Sequence, residues 1–205
     1  MRFSIFAGGF LWVSAVLAQT PAAADDVLTS ANYKPLTGKG RAAFFVSDTL
    51  LSPLTYAAAL GGGGIQQLTN SPPEWNQGVE GYAKRTGSVL GILLLQNSIE
   101  QTSAAALGYE PRYVHCGCTG FLKRTGHVLV WSIITKNNAG ANRLNLPMLA
   151  GAYGSGMLAT LAWYPNRFDP LTDGFRLGTQ QVPFRVGGNW LHEFSPELKR
   201  AFHLH

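Results

Sequence analysis

His115-Cys116-Gly117-Cys118 is the stretch of this sequence where side chains able to bind metal or exchange electrons crowd together. Imidazole and thiolate suit zinc or copper, so His115, Cys116 and Cys118 are candidate metal ligands. A tetrahedral site needs a fourth donor, which His127, His203 or His205 could supply. The two-residue gap usual between paired zinc cysteines is absent. In an exported chain the same cysteines also fit a disulfide, within one chain or between two. A ring closed by C-x-C is small and readily reduced. Disulfide, intermolecular bridge and metal or redox centre all stay open at this level.

Other chemistry is harder to build. Gly61 to Gly64 lacks the Lys-Ser/Thr ending of a phosphate loop. Gly154-Ser155-Gly156 lacks the earlier glycine of a serine-hydrolase elbow. His192-Glu193 is an adjacent pair, not the H-E-x-x-H of a metalloprotease. Glu80 and Glu100 are too far apart along one helix to act as a glycosidase pair. Asp48 and Glu100 sit in apolar surroundings, where an acid either carries function or pairs with an arginine. No catalytic residue and no cofactor emerges.

The elements that must position these residues read as helices. Pro53 splits an apolar, Ala-rich stretch from Arg41 to Leu60, and Gly61 to Gly64 then predicts a hinge. Ser71-Pro72-Pro73-Glu74 is a helix start, with the helix running to Leu107 and Gly108 stopping it. Residues 108–118 read as a loop and 119–135 as a helix, followed by a polar turn over 136–145. Pro147 opens a helix to Trp163, which Pro165 ends. Asp169-Pro170 opens another to Phe194, bent by Pro183, and Ser195-Pro196-Glu197 starts a short terminal helix. Strand alternation is sparse. The fold class expected is all-α, with about six helical segments in a glycine-rich, close-packed bundle, embedded in a membrane in part or not at all.

One internal repeat stands out. Gly81, Lys84, Arg85, Thr86, Gly87, Val89 and Leu90 recur as Gly120, Lys123, Arg124, Thr125, Gly126, Val128 and Leu129. Each copy puts a Lys-Arg pair at the polar edge of an apolar helix. Lys84, Arg85, Lys123 and Arg124 are therefore candidate interfacial basic residues, with an ordinary solvated face as the alternative. Two copies are too few for a solenoid.

Tyr82 to Gly87, Glu110-Pro111-Arg112-Tyr113, Ala150 to Gly156, Trp163-Tyr164-Pro165, and Gly188-Asn189 with Glu193-Phe194 follow one another in an order that resembles a group of exported helical bacterial proteins with no assigned activity. The resemblance covers roughly residues 74–200. Relatives commonly carry Glu-Asp before the proline where this chain has Tyr109-Glu110. It implies a helical fold and export, and brings no catalytic residues.

Residues 144–164 carry no charge. Within them Ala152, Gly156 and Thr160 form one small-residue row, and Gly151, Ser155 and Ala159 the adjoining one. Such rows let two helices approach closely, in lipid or in a soluble core. Trp163 and Tyr164 would suit a membrane interface. A leucine at Gly156 should therefore be costly and an alanine mild.

The chain opens with Met1-Arg2, an apolar run from Phe3 to Ala18, and small residues ending at Ala22-Ala23-Ala24. That order predicts a cleavable secretory signal over 1–24, followed by a flexible arm over 25–40 and a single helical domain over 41–205. With 46% hydrophobic and only 13% charged residues, the chain is too apolar for disorder. A net charge of +5 favours anionic lipid surfaces, while export argues against nucleic acid. The expectation is a membrane-associated, non-enzymatic envelope or periplasmic protein, self-association being open. The alternative is a soluble periplasmic metal-binding or redox protein that uses the His-Cys-Gly-Cys segment.

Overall fold

The computed structural model of the chain describes residues 27–201, so the signal over 1–24, His203 and His205 lie outside the described residues. The fold is mostly helical. Helix α1 spans Gly38–Phe45 and continues as a π-turn, Val46–Leu50. Helix α2 spans Pro53–Leu68, with Pro53 in its first turn where a missing N–H costs nothing. After a 3-10 turn at Pro73–Trp75 comes α3, Gly78–Leu107. It stops at Gly108, whose left-handed backbone (φ 69°) lets it close the helix end. Helix α4 is Phe121–Trp131.

Two short strands follow, β1 Ile134–Lys136 and β2 Asn142–Leu144, paired antiparallel with Thr135 opposite Arg143. This hairpin replaces the end of the helix expected over 119–135 and part of the expected turn. Helix α5, Leu146–Ala162, is capped by Asn145, whose Oδ1 accepts from Met148 N at 3.1 Å. The amino end of α6, Thr172–Glu193, is held by Asp169 Oδ1, which accepts from Thr172 N at 2.7 Å. Helix α7 is Ser195–Ala201.

Helix α2 packs on α3, α3 on α5, and α5 on α6. Helices α2 and α6 make no comparable contact, so this four-helix arrangement is open on one side. Ile92, Ala159 and Tyr164 form a core cluster, flanked by Trp75, Phe168 and Leu177. The closest approaches are made through glycine. A Cβ on Gly151 would lie 2.6 Å from Gln96 O, and one on Gly178 would lie 2.8 Å from Tyr153 Cα. Such contacts leave no room for any side chain.

The sequence expectation fails at Gly61 to Gly64. These glycines sit inside α2 and form no hinge. Gly63 is pressed against the backbone of Thr86, where a Cβ would lie 2.9 Å from Thr86 Cα. A propensity penalty of roughly 1 kcal/mol per glycine is outweighed here by packing on α3. The expected flexible arm is also docked over its described part. His115 N donates to Leu28 O at 2.7 Å, Tyr33 OH to Asn137 O at 3.0 Å, and Arg112 Nη2 to Lys34 O at 2.7 Å.

Candidate functional site

The open side of the bundle is a groove of about 1210 Å³, walled by α2 and α6 and floored by α3. One end carries Ile65, Val89, Ile92, Phe168 and Leu177, with the charged Asp173 and Arg176 near Leu177 on α6. The other carries Asp48, Gln96, Asn97, Arg185 and His192. The α3 face that supplies the floor buries Arg85, Ser88, Ile92, Gln96, Glu100 and Ala104 at one-turn spacing. It is therefore a buried face that is largely polar.

Glu100 anchors the polar end. Its side chain is 3% exposed, and its Oε1 accepts from Arg185 Nη2 at 2.6 Å. Its Oε2 has no hydrogen-bond partner among the described residues. Burial pushes the Glu100 carboxyl above its usual range, against the pull of Arg185, and the Asp48 charge adds to that push. Burial likewise raises Asp48, with Arg185 and His192 acting in the opposite direction. Asp48 lines the groove, whereas Glu100 does not. The structure thus brings together the two acids that stood out in the sequence and supplies the arginine expected beside them. Gln96, Arg185 and His192 were not foreseen. Gln96 and Glu100 are one turn apart on α3, a readable spacing, but a polar pair reads first as solvated. Arg185 carries no local signal.

The His-Cys-Gly-Cys segment forms a second cluster. Cys116 and Cys118 are joined in a disulfide with a Cα–Cα distance of 5.0 Å. In that state the sulfurs offer no thiolate to a metal. No group of three or more His, Cys, Asp or Glu among the described residues is arranged to hold one. The organising residue is Glu193, 3% exposed. Its Oε2 accepts from Tyr113 OH at 3.0 Å and from Cys116 N at 3.2 Å, and lies 3.4 Å from His115 Nδ1. Its Oε1 accepts from Arg124 Nε at 3.0 Å. Burial holds His115 below its usual range, and burial with the Glu193 charge pushes the Tyr113 phenol far up. His127 turns to Val114 O at 2.8 Å instead of joining the sulfurs.

The basic pairs divide. Lys84 is exposed and bound to Glu80 at 2.7 Å, and Lys123 is exposed. Arg85 is fully buried, which corrects its reading as an interfacial residue. Its guanidinium donates to Gln67 Oε1 and Asn76 O at 2.6 Å, Pro72 O at 2.7 Å, Ser71 O at 3.1 Å and Asn70 Oδ1 at 3.2 Å. Arg124 is also inward, bound to Glu193 and Glu197 with its guanidinium 4.2 Å from the Phe194 ring centre. In both copies of the repeat, the arginine staples a neighbouring segment and only the lysine faces water.

Gly151, Ala152, Ser155, Gly156, Ala159 and Thr160 are all buried on α5. Gly151 meets α3, and Gly156 meets Gly174 and Gly178 of α6. Tyr164 is buried in the core, not placed at an interface, while Trp163 donates to Ser88 Oγ at 2.8 Å. No family model matches the chain, and no curated protein or solved structure is significantly similar to it.

Proposed function

We propose that this is an exported envelope protein, held at a membrane surface by its α1–α2 segment, that acts by binding and not by catalysis. The supporting observation is how little of that segment is used for packing. Gly38 to Leu68 spans 31 residues, and its most apolar 18-residue window has a mean hydropathy of 1.3, yet only 11% of that window is buried. Away from the groove, Tyr56, Leu60 and Leu68 are exposed on α2, Leu68 at 89%. Helices of this kind lie in the headgroup region with their apolar residues among the acyl chains. Exposed Lys34 precedes it and exposed Lys39 lies in its first turn, and the chain's positive charge suits anionic lipid. Flotation with anionic phospholipid vesicles is the test. The wild-type chain should float, and a Leu60→Glu, Leu68→Glu variant should stay at the bottom. A wild type that does not float, or a variant that floats equally, overturns the reading.

A second reading is thiol–disulfide exchange at Cys116 and Cys118. It is favoured by the closed bond beside exposed Gly117, with the His115 imidazole adjacent. Equilibration in glutathione buffers tests it. A dithiol that forms where ordinary structural disulfides survive supports exchange, and a bond that stays closed counts against it.

A further inference from the structure

We propose that the groove between α2 and α6 binds a linear amphiphile bearing a protonated amine, with the ammonium at Asp48 and the chain running toward Leu177 and Phe168.

The first argument is the glycines on the groove walls. Gly61 on α2 and Gly187 and Gly188 on α6 line the groove, and a Cβ on any of them would meet nothing within 4 Å. Glycine disfavours a helix relative to alanine. At Gly63 and Gly156 a close backbone approach accounts for it. At these three positions nothing among the described residues does, as is also true of Gly64, Gly87 and Gly126 away from the groove; within the groove a closely seated occupant would. The groove's volume of about 1210 Å³ is larger than most pockets for compact ligands and suits a long one.

The second argument is independent and lies in the polar end. The Asp48 carboxylate has neither hydrogen bond nor ion pair among the described residues, although it lines the groove. Gln96 is 6% exposed, lines the groove, and its Oε1 has no partner. Glu100 Oε2 behind it is also unpartnered. Unpartnered donors stand beside them among the described residues, Arg185 Nε and Nη1 and Gln96 Nε2, so the bias of this end lies in its charge. By charge, the carboxylates of Asp48 and Glu100 face a single guanidinium, Arg185, with His192 beside them. The complement of such an end is a cationic group rich in N–H donors. A carboxylate or phosphate would add negative charge beside two acids that share one guanidinium. Among the described residues, the other charged side chains in the groove are Asp173 and Arg176, near Leu177 at its far end.

The inference does not depend on membrane attachment, and its test uses no bilayer. Calorimetric titration of the mature protein with dodecylamine and dodecanoate, each below its micellar concentration, compares the two charges on one chain length. Dodecylamine should bind at least ten-fold more tightly. Asp48→Asn should remove that preference while leaving the helical signal intact. Gly61→Leu, which projects into open groove, should weaken both ligands at least ten-fold without lowering the melting temperature. Failure of dodecylamine to bind, equal or tighter binding of dodecanoate, or a preference surviving in Asp48→Asn overturns the assignment of the polar end. Unchanged binding in Gly61→Leu places the ligand elsewhere on the apolar surface and overturns the site.

Discussion

Arg185 and Glu100, 85 residues apart in sequence, form a hydrogen-bonded ion pair at 2.6 Å, and the carboxylate is almost wholly out of water. The pair ties α6 to α3, two helices otherwise linked through α5. Among the described residues its second carboxylate oxygen and the Arg185 Nε have no partner, so desolvation is only partly offset.

Breaking that pair from one side should be far worse than removing it whole. Arg185→Met leaves Glu100 buried without its cation, and a loss of about 3–5 kcal/mol is expected. The double change Glu100→Met with Arg185→Met should recover most of it, because two apolar chains of similar volume carry no desolvation cost. Urea unfolding of the two single variants and the double completes the cycle. Additive losses would show that the two side chains are not coupled.

The same carboxyl sets a pH dependence. Burial, the largest influence, raises the Glu100 pKa above its ordinary value of 4.5. A raised folded-state value gives stability that is fully present below the unfolded pKa and lost as pH rises through the folded one. Asp48 is shifted the same way. Glu100→Gln cannot titrate at this position. The stability of wild type relative to Glu100→Gln should therefore decline as pH rises from about 4 toward neutrality. The exposed acids held low by their partners, such as Glu74 and Glu197, are common to both proteins and cancel. Parallel stability curves would show that Glu100 is not held as described.

Arg85 and Lys84 are neighbours with opposite weights. Arg85→Ala leaves the carbonyls of Ser71, Pro72 and Asn76 without their shared donor, and should cost on the order of 3 kcal/mol. Lys84→Glu removes one exposed pair with Glu80 and should change stability by less than about 1 kcal/mol. Chemical denaturation distinguishes the two. Equal effects would mean the guanidinium is not the staple of that turn.

Local signals in the sequence were readable because their physics is local. Pro53, Asn145-Pro147 and Asp169 start helices through their own backbone geometry or side-chain caps. Gly61 to Gly64 misled because a glycine that opens a turn and one that admits another helix look alike without Thr86 and Val89 in view. The strands Ile134–Lys136 and Asn142–Leu144 are too short for alternation to register. Asp48 and Glu100 were legible as acids in apolar surroundings, but Arg185 was not legible as their partner, since only the packing of α5 between α3 and α6 brings it there.

The proposed export makes a prediction of its own. On that reading, the apolar run from Phe3 to Ala18 and the small residues after it predict a mature amino terminus between Gln19 and Asp25. Intact-mass measurement of the protein recovered from the cell envelope checks it. A chain that retains Met1 through Ala18 would be anchored and not processed.

Gly156 is the sharpest test of how the helices meet. The sequence alone suggested that alanine would be mild there. The structure changes that expectation, because a Cβ would fall on Gly174 O and lie 2.9 Å from Gly178 N. Both are backbone atoms and cannot rotate aside. Gly156→Ala should therefore destabilise by about 1–3 kcal/mol despite its better helix propensity, and Gly156→Leu by more. Gly187→Ala is the control, on α6 but facing open space, and should be neutral or stabilising by up to about 1 kcal/mol. Thermal and urea unfolding of the three variants reads the contrast directly. If Gly156→Ala matches Gly187→Ala, then α5 and α6 do not approach through their glycines.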